Sequence, residues 1–294
     1  MVGTVSSDAN AGAPAVPVDV PSGAPAGSLE YFGVLFSAAP RRVDLRTLYA
    51  IDAEIRRSAA LANHDIAHTR LQWWRQELDR SLAGHAQHPL AVALQSLRSR
   101  AAPTDLTLLH ELTVAADLDL ASFQYATWSQ LAAYCFRSSG ALQTVIAATL
   151  VSPAPLSDRE RSFARQLGAM VRQVQMLRDV TRDTSRGRCY APIEALEAHG
   201  LTVATWFSGA DLRARAAVLA DWQSRVAAEL QATGADLTTA ERVHQRHGLV
   251  LRALYLKLLD AIRARSDDNA VIELSGWAKL WTAWRAAVNT ASRA

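Results

Sequence analysis

Gln175-Met-Leu-Arg-Asp-Val-Thr-Arg-Asp-Thr-Ser-Arg-Gly-Arg-Cys-Tyr-Ala-Pro192 sets Asp179 and Asp183 four residues apart among Arg178, Arg182, Arg186 and Arg188. Residues at i and i+4 share one face of a helix. Paired carboxylates hold hard cations and guanidiniums grip phosphate oxygens, so the pattern suits a Mg²⁺-bound diphosphate. It equally describes an exposed helix end laced with intrahelical ion pairs. Spacing alone favours the second reading.

The surrounding chain is built for helix. It has 294 residues, half of them hydrophobic, with only 14 Gly and 10 Pro, and Ala and Leu abound. That composition supports a large core and favours helix over sheet. The net charge is only +3, which argues against a nucleic-acid partner. Cys135 and Cys189 form neither a metal-ligand spacing nor a disulfide framework, so a reducing, cytoplasmic setting is expected. Residues 1–27 are largely Ala, Pro, Gly, Val and Ser, with no aromatic or basic residue. They read as a disordered tail ahead of one helical domain over 28–294. The first basic residue is Arg41, unlike a signal or transit peptide. No apolar run reaches the roughly 18 residues of a membrane span.

Apolar positions recur at helical spacing from Leu45 to about Leu82, with Asp44 placed as an N-cap. Further helices are predicted over 90–97, 125–151, 157–183, 207–232, 238–265 and 273–290, with a capping-type start at Ser157-Asp-Arg-Glu160. Thr104 or Asp105 is placed as another cap, and Ala141–Val151 reads as a buried core helix. The fold class is all-α, with roughly ten helices in one domain.

Four segments together carry a family likeness. They are Pro40-Arg-Arg with Leu48-Tyr-Ala50, Tyr125-Ala-Thr-Trp-Ser-Gln-Leu-Ala-Ala-Tyr-Cys-Phe-Arg-Ser-Ser-Gly140, the Gln175–Pro192 stretch, and Leu274-Ser-Gly-Trp-Ala-Lys-Leu-Trp281. Over about residues 31–290 the chain resembles the squalene/phytoene synthase family, the head-to-head prenyl transferases. The resemblance implies a single-domain, isoprenoid synthase-type helical bundle around a central cavity. There Mg²⁺ on two aspartate-rich helices binds the diphosphates of two allylic substrates, and a dry pocket guards the resulting cation. Carried over residue by residue, Asp179 and Asp183 would hold Mg²⁺, Arg178 and Arg188 would grip diphosphate oxygens, and Tyr134 and Tyr190 would lie at the cavity. Whether an NADPH-dependent reduction follows is left open by these residues. Very apolar products would imply peripheral contact with a membrane.

The family pattern is incomplete. Its first aspartate motif should follow Leu48-Tyr-Ala50, where this chain reads Arg56-Arg-Ser-Ala-Ala60. Asp52 can pair with Arg56 at i+4. Alternatively, Arg56 and Arg57 could hold a diphosphate without metal. In the second motif Gln175 replaces Asn, and Arg182 replaces an acid. Two functions therefore compete. One is a transferase condensing two prenyl diphosphates. The other is a non-catalytic member acting as an assembly or lipid-binding factor, similar to complex I assembly factors that also lack the first motif. Asp117 and Asp119 read as capping or surface acids, and His64 with His68 as an incidental pair. Tyr255 reads as a satisfied core residue, and Trp73, Trp74, Trp277, Trp281 and Trp284 as core or interface.

Overall fold

The computed structural model describes residues 23–99, 103–264 and 272–291. Among them there is no strand. In chain order the helices are α1 Leu29–Leu35, α2 Arg42–Ala59, α3 His64–Ala83, α4 Pro89–Gln95, α5 Pro103–Leu106, α6 His110–Leu120, α7 Trp128–Cys135 and α8 Ala141–Val151. They continue with α9 Asp158–Ser185, α10 Ile193–Glu197, α11 Val203–Ser208, α12 Leu212–Ala232, α13 Thr239–His244, α14 Arg246–Arg263 and α15 Gly276–Ala291.

Local chemistry sets the breaks that periodicity missed. The periodic run from Leu45 to Leu82, whose Leu71–Leu78 part reads as a second helix, divides at Asn63, which accepts from the backbone N–H groups of Asp65 (3.0 Å) and Ile66 (3.1 Å) and starts α3 afresh. The run over 207–232 breaks at Gly209, which takes a φ of +66°, and restarts behind Asp211 as N-cap of α12. Asp44 is not the N-cap: that position is Arg41, and Asp44 lies inside the first turn of α2. Asp105 likewise sits within α5 and pairs with Arg161 at 2.7 Å. The capping box at Ser157 is present as expected. In α8 every residue but Leu150 is buried.

Residues 1–22 of the expected tail lie outside the described residues, whereas Gly23 and Ala24 pack on the bundle and Pro25–Gly27 are exposed. Ala24 is buried, and a Cβ at Gly23 would lie 1.8 Å from the Tyr49 carbonyl oxygen.

Two large apolar clusters fill the interior, with a small third one of Ala147, Ala148, Val151, Leu156 and Ala164. One is centred on α9, α12 and α14; the other joins α2, α3, α4, α6 and α8. Between α7 and α8 the chain takes one π-helical turn, Phe136–Gly140. A Cβ on Gly168 of α9 would meet Gly140 Cα at 2.5 Å and the Ser139 carbonyl oxygen at 2.6 Å. Only bare backbone allows α9 and this π turn to approach so closely. That contact fixes α9 against the segment that closes one wall of the site.

Candidate functional site

Helices α2, α6 and α9 and the π turn meet around a cavity of about 160 Å³. Leu112, Ala115 and Ala116 of α6 form an apolar wall, and Asp52, Arg56, Asp119, Ser138 and Arg172 make the rest polar. The volume is below the ~300–1,000 Å³ of ordinary ligand pockets, so it fits an anionic head rather than a prenyl chain.

Arg56 turns inward. Its Nε donates to both Asp52 oxygens (2.9 and 2.8 Å), and its Nη2 donates to the Ser138 carbonyl. Burial would lower its pKa, but the Asp52 carboxylate outweighs that and raises it. Arg57 points elsewhere, because successive helix residues do not face the same way. It pairs with Glu54 and is half exposed. The expectation that Arg56 and Arg57 act together therefore fails for Arg57.

Several polar side chains converge on Asp119, which sequence reading placed at a cap or surface. Its Oδ1 accepts from Tyr134 Oη at 2.7 Å, Tyr190 Oη at 2.9 Å and Arg188 Nη1 at 3.2 Å. Arg188 Nη2 also donates to the Asp119 carbonyl. Behind this cluster, Arg172 Nη2 donates to Tyr134 Oη at 2.7 Å and lies 3.9 Å from Asp119 Oδ2. The Arg172 guanidinium sits 5.5 Å from the centre of each tyrosine ring, and those rings stack at 6.0 Å. Its Nε is buried without a hydrogen-bond partner among the described residues. Burial, reinforced by the Asp119 charge, pushes the Tyr134 and Tyr190 phenols above their ordinary range, although Arg172 opposes it. Both tyrosines remain neutral donors. The Arg-Gly-Arg phrase acquires a backbone reason here. Gly187 takes a φ of +74° just past α9, which returns the Arg188 N–H to the Asp183 carbonyl (2.8 Å) and its side chain to Asp119.

Asp179 and Asp183 are not at this cavity wall. Arg178 donates to both Asp179 oxygens at 2.8 Å, and Arg182 reaches one of them at 2.8 Å. Burial would raise the Asp179 carboxyl, but these arginines hold it below the usual carboxylate range. The Asp183 carboxylate, 3.5 Å from Arg182, is instead raised by burial, with Asp179 repulsion adding to it. Among the described residues no group of three acidic, His or Cys side chains converges as a metal site. The donor set therefore does not fit a resident Mg²⁺: Asp179 is saturated by two guanidiniums, and no third ligating side chain joins it and Asp183 among the described residues. Gln175 is also diverted, donating to Tyr255 Oη at 2.9 Å while Tyr255 donates to Glu30 at 2.6 Å.

Asp117 is held by Arg75 of the Trp73-Trp74-Arg75 phrase, which ties α3 to α6, and His68 lies 3.8 Å from it. Arg172 was missed because it precedes the quoted motif. Its place seven residues before Asp179, two turns along the same face, was the available signal.

This architecture belongs to the isoprenoid synthase-type helical bundles. A dehydrosqualene synthase structure covers 90% of this chain and 92% of its own, at 16% identity and a TM-score of 0.72. A squalene synthase from Alicyclobacillus acidocaldarius covers 79% and 87%, at 22% identity and a TM-score of 0.67. The family model described as squalene/phytoene synthase matches residues 27–285, and the chain belongs to that family. A phytoene synthase of Arthrospira platensis is 29% identical over 178 residues, 56% of this chain and 57% of its own. The chloroplastic phytoene synthase of Narcissus pseudonarcissus is 26% identical over 253 residues, 81% of this chain and 57% of its own. The chain thus spans about 57% of the length of these relatives. Among the described residues no helix is long and apolar enough to cross a membrane.

Proposed function

We propose that this chain is a squalene/phytoene synthase-like transferase that takes allylic prenyl diphosphates and joins two of them head to head with loss of diphosphate. The observation that carries this is the arginine-lined cavity beside the Asp119 cluster, which is built from the family's Tyr134 and Arg188-Cys-Tyr190 positions. In the reaction the C1–O bond of the allylic diphosphate breaks and its electron pair leaves with the diphosphate. Arg56 and Arg172 would receive that charge through guanidinium hydrogen bonds, with Arg188 in support. Asp119 would position Arg172, Arg188 and both phenols. Leu112, Ala115 and Ala116 would have to yield to admit the chain.

The test is incubation of the purified protein with farnesyl or geranylgeranyl diphosphate, with and without NADPH. Diphosphate release and extractable products are followed. Arg172→Met is expected to cut kcat/KM about 100-fold, corresponding to ~2.7 kcal/mol of lost charge stabilisation. Absence of turnover with either substrate overturns the reading. It would favour the second one, a non-catalytic assembly or lipid-binding factor, which draws on the saturation of Asp179 by Arg178 and Arg182.

A further inference from the structure

Helix α15 is amphipathic in the wrong direction for an ordinary surface helix. Lys279, Ala283, Ala287 and Thr290 face the bundle and are buried. On the opposite face Trp277 is 82% exposed, Trp281 57%, Trp284 45% and Val288 41%. At about 100° per residue these four fall within roughly 60° of one another, so they form one stripe. Trp281 and Trp284 stack with ring centroids 5.0 Å apart. The packing partners of α15 are α14, α1 and α13, all on its inner side. Sequence reading expected these tryptophans in the core or an interface; the structure turns all three outward.

We infer that this stripe is a docking face for an anionic lipid surface, on which α15 lies flat. Indoles favour the boundary between headgroup and acyl chain, where an apolar ring and a polar N–H are both accommodated. The charges agree. Residues 276–291 include no Asp or Glu, and Arg285 is exposed on the flank of the stripe. The carboxylate just ahead of the helix, Glu273, is ion-paired with Lys279 at 2.8 Å. A self-paired dimer across this face would bring Arg285 of both copies toward one another with no helix carboxylate to meet them, so charge favours lipid over a second copy. The inference does not depend on the reaction proposed above.

The test uses the full chain and vesicles of phosphatidylcholine with or without phosphatidylglycerol. Expected results are cosedimentation with the anionic vesicles, weakening with salt, and a blue shift of tryptophan emission. Trp277→Ser/Trp281→Ser/Trp284→Ser should lower the partition coefficient by at least about tenfold while the thermal melt is retained, since these rings are not core. Arg285→Glu, which removes no apolar surface, should weaken binding to anionic vesicles only. The inference is overturned if the wild type binds neither vesicle, or if the variants bind as it does. A dimer in sedimentation equilibrium that the triple substitution dissociates would also overturn it and assign the face to a second copy.

Discussion

Asp119→Asn retains the outline of the side chain and removes its charge. Asp119 accepts from Tyr134, Tyr190 and Arg188 and lies beside Arg172, whose side chain is only 15% exposed. Removing one member of a buried, hydrogen-bonded charge set costs about 3–5 kcal/mol, because the other member stays desolvated. The Asp119 side chain retains 19% exposure, so water takes up part of the loss and the low end, about 3 kcal/mol, is expected. For a chain of this length that lowers Tm by about 6–12 °C. The assay is urea unfolding followed by circular dichroism, with Arg172→Met and the double variant completing a cycle. Because Arg172→Met removes the cation stranded by the first change, the double variant should lose about 1–2 kcal/mol less than the sum of the singles. A single-variant loss below about 1 kcal/mol, with a coupling below about 0.5 kcal/mol, would refute the cluster as the organising element of the site.

Gly168→Ala forces a Cβ to within 2.5 Å of Gly140 Cα, so the two backbones must separate. A loss of about 3 kcal/mol is expected by the same unfolding measurement, and a neutral result would mean the seam yields easily. His247 is buried between Ser37 and Tyr49, and burial pushes its imidazole down to about 4. The unfolded chain, with an ordinary value near 6.5, binds the proton more readily. The contribution is therefore complete above about pH 6.5 and falls by about 3 kcal/mol as the pH drops toward 4. His247→Gln should flatten that part of the stability profile; an unchanged slope would assign the effect elsewhere. Inorganic diphosphate, followed by calorimetry, should bind within about tenfold of the same affinity with and without EDTA, because guanidiniums line the cavity. A loss beyond about 100-fold on chelation would return the divalent cation to Asp179 and Asp183.

Sequence reading reached the helical class because Leu45, Leu48, Ile51 and Ile55 repeat at helical spacing, and all four are fully buried. It placed a second helix through Leu71–Leu78 but not the point where that helix begins, because apolar periodicity runs on across a break that the Asn63 cap marks. Gln175–Pro192 pointed to the right part of the molecule but to the wrong pairings. Nothing in one helix shows that Arg178 and Arg182 close on Asp179, while Asp119, more than 50 residues earlier, receives Arg188. Asp119 sits beside Asp117 where the resemblance puts a family acid, yet it reads first as a cap or surface residue, because its partners meet it only once α6, α7 and α9 have packed. Arg57 was grouped with Arg56 by adjacency, a spacing that turns two side chains about 100° apart around a helix.

The glycine seam divides the cavity into a fixed jaw and an adjustable one. At the fixed jaw, formed by α9 and the π turn, backbone already touches backbone, so no larger residue fits without prising the two apart. The opposite jaw is Leu112, Ala115 and Ala116 on α6, where volume can be added or removed one methyl group at a time. Changes in the size of molecule this cavity accepts are thereby channelled onto α6, a helix that carries no part of either aspartate motif. A library built to retune that size should be concentrated there and should leave Gly140 and Gly168 untouched.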